Sequence, residues 1–306
     1  MASSRPSPKK SPSFDLEAYW EHRFTASQTP FEWLTSIDVT ASILQREIGD
    51  ALSNGNGRFD ESGPCILHIG CGTSGLSLRL RDYVRRPVDV HNVDFSQQAV
   101  ELGQQREKEC FGNGALSGAG IGDEVRGNQS DTNTSWMRWS NVDLLSLHGV
   151  LSLTDEGTTR YDFIIDKSTS DAIACGDDVD FLPTSIDHGG VQRVTRMHPV
   201  EVLAMHLAAV TVMGGRWIVI SYSAERFWFL EDNTKRHTDL LSQGNTGQQS
   251  GRKVEPGDYW RLDRKEPIAA SEAGNTLYGN VRRPQIHHWL YVLVRTMVPF
   301  QARLVH

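Results

Sequence analysis

The run Gly70-Cys71-Gly72-Thr73-Ser74-Gly75 follows a short apolar stretch, Cys65 to Ile69, and leads into a segment carrying Leu76, Leu78, Leu80 and Val84. Glycines there tolerate positive φ and let a ligand approach the backbone closely. The helix start beyond them offers unpaired N–H groups and a partial positive charge. Nineteen residues past Gly75 stands Asp94, at the end of a second apolar run from Val88 to Val93, where a carboxylate could accept hydrogen bonds from a ribose diol. Asp143 follows a third run, Trp136 to Trp139, where it could accept an exocyclic adenine amine. Asp166 and Lys167 close a fourth, Tyr161 to Ile165. Asp166 could serve as a general acid/base or as the partner of a substrate ammonium. Arg23 offers a planar fork suited to a carboxylate.

Strands must hold these residues at one edge of a sheet. Apolar runs alternate with helical segments, and two further strand-like stretches close the chain around Tyr259 to Leu262 and Trp289 to Thr296. That order predicts an α/β Rossmann-like sheet, mostly parallel, with an antiparallel strand at its C-terminal edge and helices on both faces. Helices are expected over Leu16–Phe24, Asp38–Leu52, from an Ser96 cap to Cys110, from Asp171 to Cys175, and over 199–212 with Gly214-Gly215 ending it. Phe111 to Asn133 is rich in Gly, Ser, Asn and Asp, and the βαβ pattern resumes beyond it. It reads as an insertion, placed at about 112–134. A second loop-like stretch is placed at about 242–257. The chain thus divides into a disordered tail over 1–13 and a single domain over 14–306.

At 306 residues and net charge −7, the chain can bury a full core and is no generic nucleic-acid backbone binder. No apolar run reaches membrane-span length. Its four cysteines lack CxxC spacing, and no histidine grouping suggests a metal. The compartment implied is reducing, and cytoplasmic rather than mitochondrial, since Pro6, Pro8 and Pro12 oppose an amphipathic transit helix.

The glycine run satisfies G-x-G-x-x-G, so a nicotinamide dinucleotide must be weighed. Three features favour S-adenosylmethionine instead: more than sixty residues before the first strand, including an aromatic helix; Asp143; and a Gly214-Gly215 turn feeding a strand ahead of a terminal hairpin. That cofactor has no pyrophosphate, so the turn meets an amino acid and a ribose, and Gly75 becomes a helix-packing residue.

Tyr19-Trp20-Glu21-His22-Arg23-Phe24, Phe31-Glu32-Trp33-Leu34, IGCGTSGLS, NVDFS, Trp139 with Val142-Asp143, and Phe163 to Ala172 (FIIDKSTSDA) together carry a resemblance. From about Phe14 to Leu230 the chain resembles the methyltransferase-like-13 type of class I methyltransferase. The resemblance implies a seven-stranded sheet and S-adenosylmethionine as cofactor. It also implies a protein substrate, since that group includes lysine methyltransferases of elongation factor 1-alpha and a relative acting on citrate synthase. Carried over by position, Trp20, Phe24 and Trp33 enclose the cofactor, and Gly70 and Gly72 lie under its methionine part. Asp94 holds the ribose with Phe95 beside the adenine, Asp143 and Leu144 form the adenine edge, and Lys167 lines the site. The family has Lys-Gly-Thr where this chain has Lys167-Ser168-Thr169, and it lacks the long insertion. A small-molecule methyltransferase and a non-catalytic cofactor-binding module are the rival readings.

Overall fold

The computed structural model describes residues 12–54, 63–112, 136–154, 160–181, 194–230, 254–269 and 287–300. Nearly all of the tail and most of the two insertions lie outside these residues. Two helices come first, α1 (Glu17–Ala26) and α2 (Ile37–Asn54), joined by the segment 27–36. Then follow β1 (Ile66–Ile69), α3 (Leu76–Arg79), β2 (Val90–Asp94), α4 (Gln97–Phe111), β3 (Arg138–Asn141), α5 (Leu147–Leu151), β4 (Tyr161–Lys167) and α6 (Thr169–Ile173). A small hairpin, β5 (Val179–Phe181) with β6 (Thr195–Met197), precedes α7 (Pro199–Val210) and β7 (Thr211–Ser221). The described chain closes with α8 (Pro256–Tyr259), β8 (Trp260–Ala269) and β9 (His287–Arg295).

Seven strands form one sheet in the order β3-β2-β1-β4-β7-β9-β8. The first five run parallel, and β9 is antiparallel to both neighbours. The antiparallel region therefore falls at the expected edge, with β9 inserted one place inside β8. Every residue of β1 and β2 is buried, as a strand covered on both faces requires. One face packs Leu67, Ile69, Ile164 and Trp217 against α7, of which eleven residues are buried. The other packs Ile66, Phe163 and Ile165 beneath Leu44 and Ile48 of α2 and Leu76 of α3. Each such side chain contributes roughly 1.5–3 kcal/mol on burial.

Several boundaries differ from expectation, each for a local reason. Helix α7 ends at Val210, where Thr211 Oγ1 bonds back to Leu207 O (2.6 Å), and β7 starts at once. Gly214 (φ +74°) and Gly215 do not end the helix. They sit in a bulge of β7, whose register with β4 jumps from Tyr161↔Thr211 to Phe163↔Arg216. The 242–257 loop is cut short by α8, whose first residue is Pro256, a favoured helix-opening residue. Strand β3 starts two residues later than expected, since Trp136 and Met137 precede the ladder. Helix α6 opens at Thr169 rather than Asp171. Ser96 caps α4 as expected, accepting from Ala99 N at 3.2 Å.

Among the described residues no helix is long and apolar enough to cross a membrane, and no group of three or more His, Cys, Asp or Glu could hold a metal ion.

Candidate functional site

The carboxyl ends of β1, β2 and β4 open on a cavity of about 650 Å³, where open α/β sheets place their ligands. Its floor is the glycine turn. Gly70 and Gly72 hold φ of +55° and +51°, a region costly for other residues. A Cβ on Gly70 would lie 2.1 Å from Thr169 Oγ1, which itself bonds Ile69 O (2.9 Å). Gly70 is thus required twice over. Gly75 has an ordinary φ and packs against Ile37, so its role is packing.

Asp94 braces this turn. Its Oδ2 accepts from Gly72 N (2.8 Å) and its Oδ1 from Ser96 N (2.9 Å). Burial raises its pKa to about 6. Each oxygen keeps a second lone pair, so the carboxylate still has acceptor capacity for a diol. Phe95 lines the cavity beside it, its carbonyl held by Asn141 Nδ2 (2.7 Å). Asp143 turns its Oδ1 to Leu145 N (2.8 Å), and Leu144 is fixed through its carbonyl by His206 Nδ1 (2.9 Å). Both line the cavity.

The N-terminal arm forms the roof. Trp20 stacks on Phe24 with centroids 5.7 Å apart and meets Trp33 edge-on at 6.1 Å; all three line the cavity. Phe24 lies 3.4 Å from the Cβ position of Gly72, so the roof touches the floor. Three polar ties hold the arm down. Glu21 accepts from Ser96 Oγ (2.5 Å), Arg106 Nη2 donates to Gln28 O, and Glu32 accepts from Gly75 N (2.9 Å), Ser74 Oγ (2.8 Å) and Lys167 Nζ.

Two expected site residues fall outside. Arg23 lays its guanidinium over the Phe31 ring (4.4 Å) and does not line the cavity. Asp166 is buried, and its Oδ1 accepts from Thr169 N (2.9 Å) and Ser170 N (3.3 Å) at the start of α6. Burial beside Asp171 raises its pKa to about 7. It braces the turn after β4 and does not reach the cavity, so a direct acid/base role on a ligand there has no geometric support. Lys167 does reach it.

Sequence reasoning passed over Glu32, Glu21 and His68. The two acids lie inside the aromatic motifs, where the rings drew attention. His68 lines the cavity beneath the turn, and burial holds its pKa down at about 4, so it is neutral near pH 7. Its Nδ1 is 3.0 Å from Asn92 Oδ1. A histidine in mid-strand gave no sign of facing a ligand.

The strand order, glycine turn and strand-end acid define the architecture. The fold is that of a class I methyltransferase. No protein-family model matches the chain. Among curated proteins it is 29% identical over 217 residues to Methyltransferase srdJ of Neurospora crassa, covering 71% of this chain and 70% of that one. Among solved structures it is similar to a methyltransferase from Anabaena variabilis (13% identity, 96% and 99% coverage, TM-score 0.45). It is likewise similar to magnesium protoporphyrin IX methyltransferase from Synechocystis with bound S-adenosylmethionine (14% identity, 95% and 100% coverage, TM-score 0.43). Likenesses as distant as these last two bear on neither activity nor substrate.

Proposed function

We propose that this chain, an S-adenosylmethionine-dependent methyltransferase, delivers the methyl group to an amine, and that the acceptor is a lysine side chain of a protein. The observation that carries the acceptor class is the charge of the cavity wall. Among the described residues, Asp15, Glu17 and Asp177 line it without a role toward the cofactor or an ion-pair partner in the scaffold, against a single lysine and among aromatic side chains. Such a wall attracts cations and repels anionic acceptors.

The residues fit the cofactor by their chemistry. The Gly70–Gly72 floor leaves room for an amino-acid chain, Asp94 can accept from a ribose diol, and Asp143 with Leu144 offers an adenine edge. Phe95, Trp20, Phe24 and Trp33 supply apolar walls. When bound, S-adenosylmethionine supplies a methyl group on a sulfonium that is its own leaving group. The protein's work is therefore to orient the acceptor nitrogen at near-attack distance and to exclude water. A lysine arrives as an ammonium and must lose a proton. The rim acids Asp15, Glu17 and Asp177 draw it in, and the aromatic walls disfavour the charged form, so the proton leaves to solvent.

Incubating the purified chain with methyl-labelled cofactor and cell lysate tests the reading. Label in a protein band, mapped to a lysine, is the expected result, and elongation factor 1-alpha is the first purified protein to try. Label confined to the small-molecule fraction makes the chain a small-molecule methyltransferase. Cofactor binding without transfer makes it a binding module.

A further inference from the structure

The chain enters the described residues at the mouth of the cavity. Pro12 and Ser13 are exposed, and the next two residues, Phe14 and Asp15, line the cavity. Trp20 Nε1 donates to Phe14 O (2.7 Å), which fixes the backbone there. Asp15 lies over the loop after α6, its Cβ 3.3 Å from the Cβ position of Gly176. The strand order tells which end of the cavity this is. Asp143 and Leu144 follow β3, Asp94 ends β2 and the glycine turn follows β1, so the groups assigned to adenine, ribose and methionine run along β3-β2-β1. Gly176 follows β4 and α6, beyond β1 from that row. Phe14 and Asp15 therefore stand at the end left for the acceptor.

Two amines lie directly upstream in the sequence. Lys9 and Lys10 stand five and four positions before Phe14, outside the described residues, and no acid occurs in the first fourteen residues. A chain of that length reaches about 14–18 Å when extended, enough to return a lysine to a cavity of about 650 Å³. Charge favours the same approach, with Arg5, Lys9 and Lys10 facing a rim that carries Asp15, Glu17 and Asp177. Tethering adds to it, because a short connection gives an effective concentration on the order of millimolar.

We propose that the chain methylates its own Lys9 or Lys10, within the same molecule. The proposal rests on the lysine reading above. The lysine loses a proton to solvent, and its Nζ lone pair then bonds the methyl carbon. The carbon–sulfur bond breaks and leaves its electron pair on sulfur, giving S-adenosylhomocysteine. Positive charge passes from the sulfonium to the methylated nitrogen. Methylation keeps the charge of a lysine, so the segment competes with other acceptors for the rim before and after transfer.

The purified full chain, incubated with methyl-labelled S-adenosylmethionine and no other protein, tests this by peptide mass spectrometry. Methyl on Lys9 or Lys10 is expected, at a rate per chain that stays within about twofold over a roughly tenfold dilution, as an intramolecular step requires. In the double variant Lys9→Arg, Lys10→Arg, which keeps both charges, self-labelling falls by at least about tenfold while adenosylhomocysteine affinity by calorimetry stays within about twofold of wild type. Tail lysines left unmethylated by a chain that binds adenosylhomocysteine overturn the inference alone; label in lysate protein from that same chain upholds the lysine reading. Methyl on other lysines only, or a rate per chain proportional to its concentration, overturns the inference as well. Failure of the wild-type chain to bind adenosylhomocysteine overturns the cofactor reading itself and the inference with it.

Discussion

Two ion pairs flank the carboxyl end of β4, and they are built differently. Asp171 faces Arg226 from within the scaffold. Its Oδ1 receives Arg226 Nε (2.9 Å), Arg226 Nη2 (2.8 Å) and Ser221 Oγ (2.5 Å), while Oδ2 receives Ser168 Oγ (2.9 Å) and Tyr222 N (3.0 Å). Both side chains are buried, so the pair is closed on all sides. Glu32 and Lys167 join the arm to the sheet, with Glu32 about a quarter exposed and Lys167 facing the cavity. The closed pair locks β4, α6 and β7 together. The open pair leaves a cation with donors to spare where a ligand arrives. One architecture uses ionic contacts both to fix a scaffold and to keep a site responsive.

Breaking the closed pair has the largest expected effect. Asp171→Ala leaves Arg226 buried without its carboxylate and costs about 3–5 kcal/mol in denaturant unfolding. A loss below about 1 kcal/mol would erase the contrast between the pairs. Asp166, beside the closed pair, comes next. Its folded pKa of about 7 lies above the ordinary carboxylate value of 3.8, so the folded state binds the extra proton between those limits. Stability from this group therefore falls as pH rises from 4 to 7, by up to about 1.4 kcal/mol per unit. Buried His68, with its pKa lowered to about 4, acts in the opposite direction between 4 and 6.5 and masks part of the trend. Asp166→Asn isolates it. The variant gains about 1–3 kcal/mol relative to wild type between pH 5 and pH 8, measured by urea unfolding at both. An equal offset at the two pH values contradicts the assignment.

Glu32→Gln opens the other pair and costs about 1–3 kcal/mol of stability, because buried Lys167 loses its carboxylate while the amide still accepts from Ser74 and Gly75. A loss matching that of Asp171→Ala would show the arm pair to be scaffold after all. Ser168→Gly has the smallest effect. It relieves the positive φ but gives up the bond to Asp171 and adds chain entropy, so thermal unfolding places it within about 1 kcal/mol of wild type. A larger loss would show that the hydroxyl on Asp171 outweighs the strain.

The same contrast explains what the sequence could disclose. The scaffold was readable because its signals are local. The β1 run, the glycines at positive φ, the Ser96 cap and the acid closing β2 each declare themselves within a few residues. The resemblance added the roof aromatics Trp20, Phe24 and Trp33, which do line the cavity. Glu32 was not readable, because its role arises from a contact across 135 positions with Lys167. Arg23 and Asp166 were misplaced for a related reason: residue type gives a side chain's capability, not its direction. Arg23 found an aromatic face and Asp166 a helix start, and neither partner could be inferred from spacing. Ser168 is the instructive departure. It stands where the resembled family carries glycine, at a position whose φ is +72°.

The roles proposed for the cavity all depend on an adenosyl cofactor held through the carboxylate that ends β2. Calorimetry of S-adenosylhomocysteine against wild type and Asp94→Ala tests it most directly. The account predicts saturable one-to-one binding to wild type and a loss of about tenfold to a hundredfold in the variant, with the variant still folded by circular dichroism. Unchanged affinity in Asp94→Ala would contradict it.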